Sequence, residues 1–174
     1  MSKVLYNTKY LQLKSTSSNW VYAHRPNANN VVVILPETKD EVLFLIEERP
    51  PLQAENKGKY SIAVPAGLVG DERIGESIDD AIRAELREEA GLEASEVRIV
   101  AHNVASSAGC VSETVTLAIA KIKDKNPVCP PVNDGGVIAD RIWVKKSEIK
   151  EWLKTKEDEG YVLTAQTLAV LFYL

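Results

Sequence analysis

GLVGDERIGESIDDAIRAELREEAGL, residues 67–92, holds a helix whose charges stand in an unfavourable place. Glu76 to Ala90 carries the strongest helical pattern in the chain, with Ile78, Ile82 and Leu86 recurring four residues apart as one apolar stripe. Glu85, Glu88 and Glu89 fall on a neighbouring stripe, because positions three and four apart share a helix face, so the three carboxylates converge. Gly91 predicts the helix stop and leaves Glu88 and Glu89 in the last turn. Like charges one turn apart repel, and negative charge at a helix C-terminus opposes the macrodipole. A local rule broken in this way marks a functional site. A bound cation relieves both conflicts, and oxygen-only ligands suit Mg²⁺ or Mn²⁺.

Outward from the helix, short apolar runs alternate with turns. Toward the N-terminus, Val4–Leu13 and Asn19–Arg25 read as strands separated by the polar turn STSS. Asn30–Leu35 is a continuous apolar run, short enough to be a buried strand, and Glu41–Glu47 follows across a turn at Pro36–Asp40 as its hairpin partner. Arg49-Pro50-Pro51 ends that strand, Leu52–Lys59 reads as a polar loop, and Tyr60–Val64 as a short strand before Pro65-Ala66-Gly67. The segment 67–75 reads as an acidic, glycine-containing loop. Beyond the helix, Val97–Asn103 and Thr114–Ile122 are expected strands on either side of a small-residue loop, 104–113. Residues 124–140 form a loop with Pro127, Pro130, Pro131 and the Gly135-Gly136 pair, followed by a brief strand at Arg141–Val144. Ser147–Lys156 reads as an amphipathic helix capped by Ser147, and Thr164–Leu174 as a terminal one. The pattern describes one domain over residues 1–174: a mixed sheet with helices on its faces.

The composition is that of an ordinary globular protein, 45% hydrophobic and 26% charged, and 174 residues suffice for one well-formed core. A net charge of −4 and a pI near 5.3 argue against nucleic acid or an anionic membrane as the partner. No apolar run reaches the ~20 residues that cross a bilayer, the N-terminal residues lack a signal-peptide pattern, and a cytoplasmic location is the expectation. Two cysteines, Cys110 and Cys129, define neither a metal motif nor a disulfide framework. Neither they nor His24 and His102 have a partner that sequence identifies.

The opening stretch resembles the Nudix box: G, five residues, E, seven residues, then R-E-U-x-E-E-x-G-U, with U aliphatic. Gly70, Glu76 and Ala84-Glu85-Leu86-Arg87-Glu88-Glu89-Ala90-Gly91-Leu92 fit this spacing. So many fixed positions are far more specific than a short motif. Ala84 stands where the box has arginine, and Arg83, one position earlier, points about 100° away round the helix. Pro65-Ala66-Gly67 also resembles the family's "PAG" lead-in after a strand; on that alignment Gly67 is the box glycine and the loop carries three additional residues. This second alignment is preferred.

Over nearly its whole length the chain resembles the ADP-ribose pyrophosphatase group of the family. Asn19–Arg25 is similar to the strand that carries an adenine-stacking tryptophan, Glu48-Arg49-Pro50-Pro51 to the "RPP" segment, and 106–113 to the "SPG" loop that ends in a catalytic glutamate. Ala108 replaces the proline of that loop. The resemblance implies an α/β/α Nudix sandwich with a mixed central sheet and an N-terminal antiparallel strand region, residues 1–28, that serves as a dimerisation segment. It implies Glu85, Glu88, Glu89 and the main-chain carbonyl of Ala66 as ligands of Mg²⁺, with Mn²⁺ as the other option. Glu113 is the expected general base and Glu85 a second catalytic carboxylate, while Trp20, Arg25 and Arg49 are expected to bind substrate. The implied reaction is hydrolysis of a small nucleoside diphosphate derivative by a homodimer, with ADP-ribose giving AMP and ribose 5-phosphate. Other nucleotide sugars, and a non-catalytic nucleotide-binding sensor, are the alternatives.

Overall fold

The computed structural model of the chain describes residues 2–28, 30–56, 59–70, 75–132 and 137–174. In chain order the elements are β1 (Lys3–Asn7), β2 (Gln12–Ser15), β3 (Val21–His24), β4 (Asn30–Glu37), β5 (Glu41–Glu47), α1 (Pro50–Glu55), β6 (Ser61–Ala63), β7 (Ala66–Val69), α2 (Ile78–Ala90), β8 (Ala94–Ala105), β9 (Thr114–Ile122), β10 (Ile138–Lys145), α3 (Ile149–Asp158), β11 (Val162–Leu163) and α4 (Ala165–Leu171). Strands β1, β2 and β3 form a separate antiparallel sheet. The larger sheet runs β11-β6-β5-β4-β9-β8, with β10 paired to β5 and β7 to β4. It is mixed: β9 is parallel to β4 and antiparallel to β8.

Successive side chains of a strand point to opposite faces, so an apolar run with no polar alternation is covered on both. This is how β4, β5 and β9 are used. Val32, Ile34, Leu43, Leu45, Ala118 and Ala120 pack with Ala81, Ile82, Leu86 and Ala90 of α2. Val33, Leu35, Phe44, Ile46, Leu117 and Ile119 pack with Ile149 and Leu153 of α3 and Val170 of α4. The layers are therefore helix, sheet, helix, the expected sandwich. Each fully buried Leu, Ile or Phe contributes about 1.5–3 kcal/mol, so this two-sided burial is the main stabilising term.

β4 and β5 are joined as a hairpin, but their ladder is a single pair, Glu37 with Val42. Beyond it the strands diverge, and the chain fills the fork. β6 runs along β5, from Glu47↔Ser61 to Leu45↔Ala63. Val64 and Pro65 then cross over, and β7 runs along β4 from Val33↔Ala66 to Asn30↔Val69. The Ile34 N–H donates to the Pro65 carbonyl at the crossing (2.8 Å).

Several boundaries differ from the sequence expectation. The first expected strand is two, because the Thr8 hydroxyl bonds the N–H groups of Tyr10 and Leu11 and turns the chain. Pro50 and Pro51 start a short helix rather than a loop, proline being well suited to a first turn. Residues 66–69 are strand, not loop. Ser147 is not the cap of α3; Glu148 holds that position with no side-chain cap bond. Residues 71–74 of the acidic loop and the Gly135-Gly136 pair lie outside the described residues. Among the described residues no helix is long and apolar enough to cross a membrane.

Candidate active site

The fork in the sheet and the C-terminal half of α2 face each other across a cavity of about 570 Å³. Ser77 caps the start of α2, its Oγ accepting from the Asp80 N–H (3.1 Å). Before it, Glu76 braces the preceding turn by accepting from the Gly70 N–H (3.3 Å). Gly91, in the left-handed conformation (φ 70°), ends the helix, with Leu92 N–H returning to the Leu86 carbonyl. The buried Ile82 and Leu86 stripe fixes the roll of the helix, so Glu85, Glu88 and Glu89 line the cavity, each half-buried.

The electrostatic conflict at the helix C-terminus is met by donors. Val132 N–H bonds the Glu88 carbonyl (2.7 Å), Arg141 Nε the Glu89 carbonyl (2.5 Å) and Cys129 Sγ–H the Arg87 carbonyl (3.7 Å). These groups offset the negative helix end, and Arg141 adds a full positive charge there. The Ala66 N–H donates to Glu89 Oε2 (3.0 Å). Burial pushes the Glu89 carboxyl up to about 7; that N–H opposes the rise, the Glu47 charge adds to it, and Arg49 and Arg141 oppose it. Gly67 leaves room for Glu85: a Cβ built there would lie 1.7 Å from Glu85 Oε1.

The opposite walls carry the basic groups and a further carboxylate. Arg49 forks onto Glu47, Nε to Oε2 at 2.9 Å and Nη2 to Oε1 at 2.6 Å. The Glu47 side chain is 3% exposed against 42% for Arg49, so the arginine is held from below with one side open to the cavity. The same Glu47 bond raises the Arg49 pKa. Glu113 is held by Arg25 (Nε to Oε2, 2.8 Å) and Ser106 (Oγ to Oε1, 3.0 Å) and is 18% exposed. Thr164, Gln166 and Thr167, at the start of α4, complete the rim.

Of the residues singled out in the sequence, Arg25, Arg49, Ala66, Glu85, Glu88, Glu89 and Glu113 line this cavity. Trp20 does not: it is 62% exposed on the three-stranded sheet, its Nε1–H donating to the Gly109 carbonyl (2.8 Å). Trp143, partly buried, packs against the α2-side core, and Trp152, also partly buried, lies against Phe44 on the other face (4.9 Å between ring centres). Sequence reasoning missed Glu47, Ser106 and Arg141. Glu47 stands two residues from Arg49 in an apolar strand, a visible signal of a buried pair; Arg141 meets Glu89 only through the fold.

The donor set suits a hard divalent cation, since it consists of carboxylate oxygens on a half-buried wall. Glu89, whose carboxyl burial pushes up to about 7, is a group that a cation would stabilise in its charged form. Among the described residues no three acidic, histidine or cysteine side chains are drawn together into a preformed cage. Mg²⁺ does not require one, because it keeps several waters and shares its coordination with substrate phosphates.

A family model described as NUDIX domain matches residues 26–165. No curated protein matches the chain. Among solved structures, one described as an ADP compounds hydrolase superposes with a TM-score of 0.72 over 99% of this chain and 88% of that one, at 18% identity. A likeness at that identity speaks for the fold.

Proposed function

The chain belongs to the Nudix family of hydrolases, and from that premise we propose that it cleaves the diphosphate linkage of a nucleoside diphosphate joined to a second group. ADP-ribose is the first candidate, giving AMP and ribose 5-phosphate. One observation carries the reading: a single cavity sets the α2 carboxylates opposite two arginines and a separate glutamate. The name of the superposable ADP compounds hydrolase agrees with an adenosine diphosphate substrate.

Glu85, Glu88, Glu89 and the Ala66 carbonyl would hold Mg²⁺, or Mn²⁺ in its place. The ion supplies neutralisation of the diphosphate and a lowered pKa for bound water. Arg49 and Arg25 bind phosphate oxygens, Arg49 already oriented by Glu47. When a phosphate takes Arg25, Glu113 Oε2 is released to accept a proton from the attacking water. The protein acts in the cytoplasm as a homodimer joined through its three-stranded sheet, where Val4, Leu5, Tyr6, Leu11, Leu13 and Val21 are exposed. The exposed Trp20 ring then serves a nucleobase at the partner's site.

Hydrolysis of ADP-ribose, with nucleotide sugars as comparison substrates, tests the reading. Turnover that needs Mg²⁺, stops with chelator and returns with added ion is expected. A second reading, a non-catalytic nucleotide sensor, is favoured by Ala84, which lines the cavity where the box has arginine. Nucleotide binding without turnover under every metal condition would establish the sensor and remove the enzyme.

A further inference from the structure

Segment 106–113, which carries Glu113, is seated on β3 along its length. β2 occupies one edge of β3. On the other edge, Ala23 N–H donates to the Cys110 carbonyl (2.8 Å), Ser112 N–H donates to the Ala23 carbonyl (3.0 Å), and Ala23 and Val111 form a parallel bridge. Side chains extend the seam in both directions. Trp20 Nε1–H bonds the Gly109 carbonyl, His24 Nδ1 bonds Ser112 Oγ (2.9 Å), and Arg25 reaches Glu113. Trp20 is itself thrown from a rigid turn. Its N–H donates to Thr16 Oγ1 (3.1 Å), its carbonyl accepts from Thr16 N–H (2.9 Å), and Asn19 before it is left-handed (φ 64°).

We propose that Trp20 and His24 are positioning residues for Glu113. By holding Gly109 and Ser112 they fix where the following carboxylate enters the cavity. The N-terminal sheet and the loop thus move as one body, and the loop is not a lid that closes on its own. The inference rests on the reading of Glu113 as the proton acceptor. The edge N–H of Trp20 holds the 106–113 segment of the same chain, while the residue as a whole remains 62% exposed. Trp20→Phe separates the two, since it keeps a stacking face and loses the N–H.

The test compares wild type, Trp20→Phe, His24→Ala, Glu113→Gln and the Trp20→Phe/Glu113→Gln double variant in ADP-ribose hydrolysis with Mg²⁺. Deuterium uptake across 109–113 is measured in parallel on wild type and Trp20→Phe. Loss of one positioning hydrogen bond should lower kcat about 3- to 10-fold in Trp20→Phe and in His24→Ala, with KM little changed. The Trp20→Phe effect should vanish in the Glu113→Gln background, because both act through one group. Uptake at 109–113 should rise in Trp20→Phe. Unchanged uptake, a wild-type kcat in both single variants, a loss confined to KM, or a loss that persists in the double variant each overturns the proposal. If Glu113→Gln alone turns over at the wild-type rate, the assignment of the proton acceptor has failed and the proposal falls with it. A slow Glu113→Gln beside wild-type kcat in Trp20→Phe and His24→Ala overturns the positioning role alone.

Discussion

The Cα of Gly67 lies directly beneath the carboxylate of Glu85, so close that a Cβ would fall 1.7 Å from Oε1 and 1.9 Å from Cδ. Gly67→Ala therefore displaces the carboxylate while leaving the backbone in an ordinary conformation. Turnover and divalent-ion affinity should each fall about 10- to 100-fold, as for loss of a residue that orients a ligand. Gly70 is different: it sits at φ 82°, so Gly70→Ala should lower stability by about 1 kcal/mol with a smaller effect on kcat. Activity and urea unfolding of the two variants decide which glycine does the work of the box glycine.

Glu89 gives a pH dependence to the metal-free protein. Its folded pKa of about 7 exceeds the 4.5 of an unperturbed glutamate, so the folded chain binds more protons between those values. Stability in chelator should thus fall as pH rises from 4.5 to 7 and be level in this respect above 7. The group's share is on the order of 2 kcal/mol once solvent screening is allowed for. Glu89→Gln should flatten that slope in urea unfolding at pH 5.5 and pH 8. The same variant should lose about 100-fold in Mg²⁺-supported turnover.

Arg141 donates to the Glu89 carbonyl and supplies a positive charge at the C-terminal end of α2. Arg141→Met keeps the stem and removes the donor. An expected loss of about 1 kcal/mol in stability follows from leaving a partly buried carbonyl without its charged partner. Turnover should fall about 10-fold, because the last turn carries Glu88 and Glu89. A variant as stable and active as wild type would show that Val132 and Gly91 hold the turn by themselves.

Arg49 and Glu47 form a two-bond pair with one partner almost wholly buried. Arg49→Ala leaves that carboxylate unpaired and should cost about 2 kcal/mol, less than for a pair buried on both sides. Arg49→Lys keeps the charge but not the fork, so KM should rise more than stability falls. Thermal unfolding and steady-state kinetics measure the two effects separately.

Much of this was legible in the sequence where burial on both faces demands apolar runs, as in Asn30–Glu37, Glu41–Glu47 and Thr114–Ile122. The acidic helix was legible through its apolar stripe and its terminal glycine, but not through its cap, Ser77. β7 was not: Ala-Gly-Leu-Val after proline has no strand signature, and it is a strand only because β4 offers an edge there. The same limit applies to the site. Three glutamates at helical spacing announce themselves, whereas Arg141 bonding Glu89 and Trp20 bonding Gly109 join positions far apart in the chain. The loop at 104–113 was legible as a loop, but not that the free edge of β3 takes up Cys110–Ser112.

The fork between β4 and β5 sets stability against activity. A sheet zipped continuously along these two strands would bond every main-chain group to a neighbour and gain cooperativity. It would then have no edge for β7 and no place for Ala66 to turn its N–H toward Glu89. Substitutions that close the seam near Ile34 and Pro65 would preserve every carboxylate in the sequence yet abolish the reaction. Protection from amide exchange along that seam is therefore a quantity that improvement of the fold alone would raise at the expense of the site.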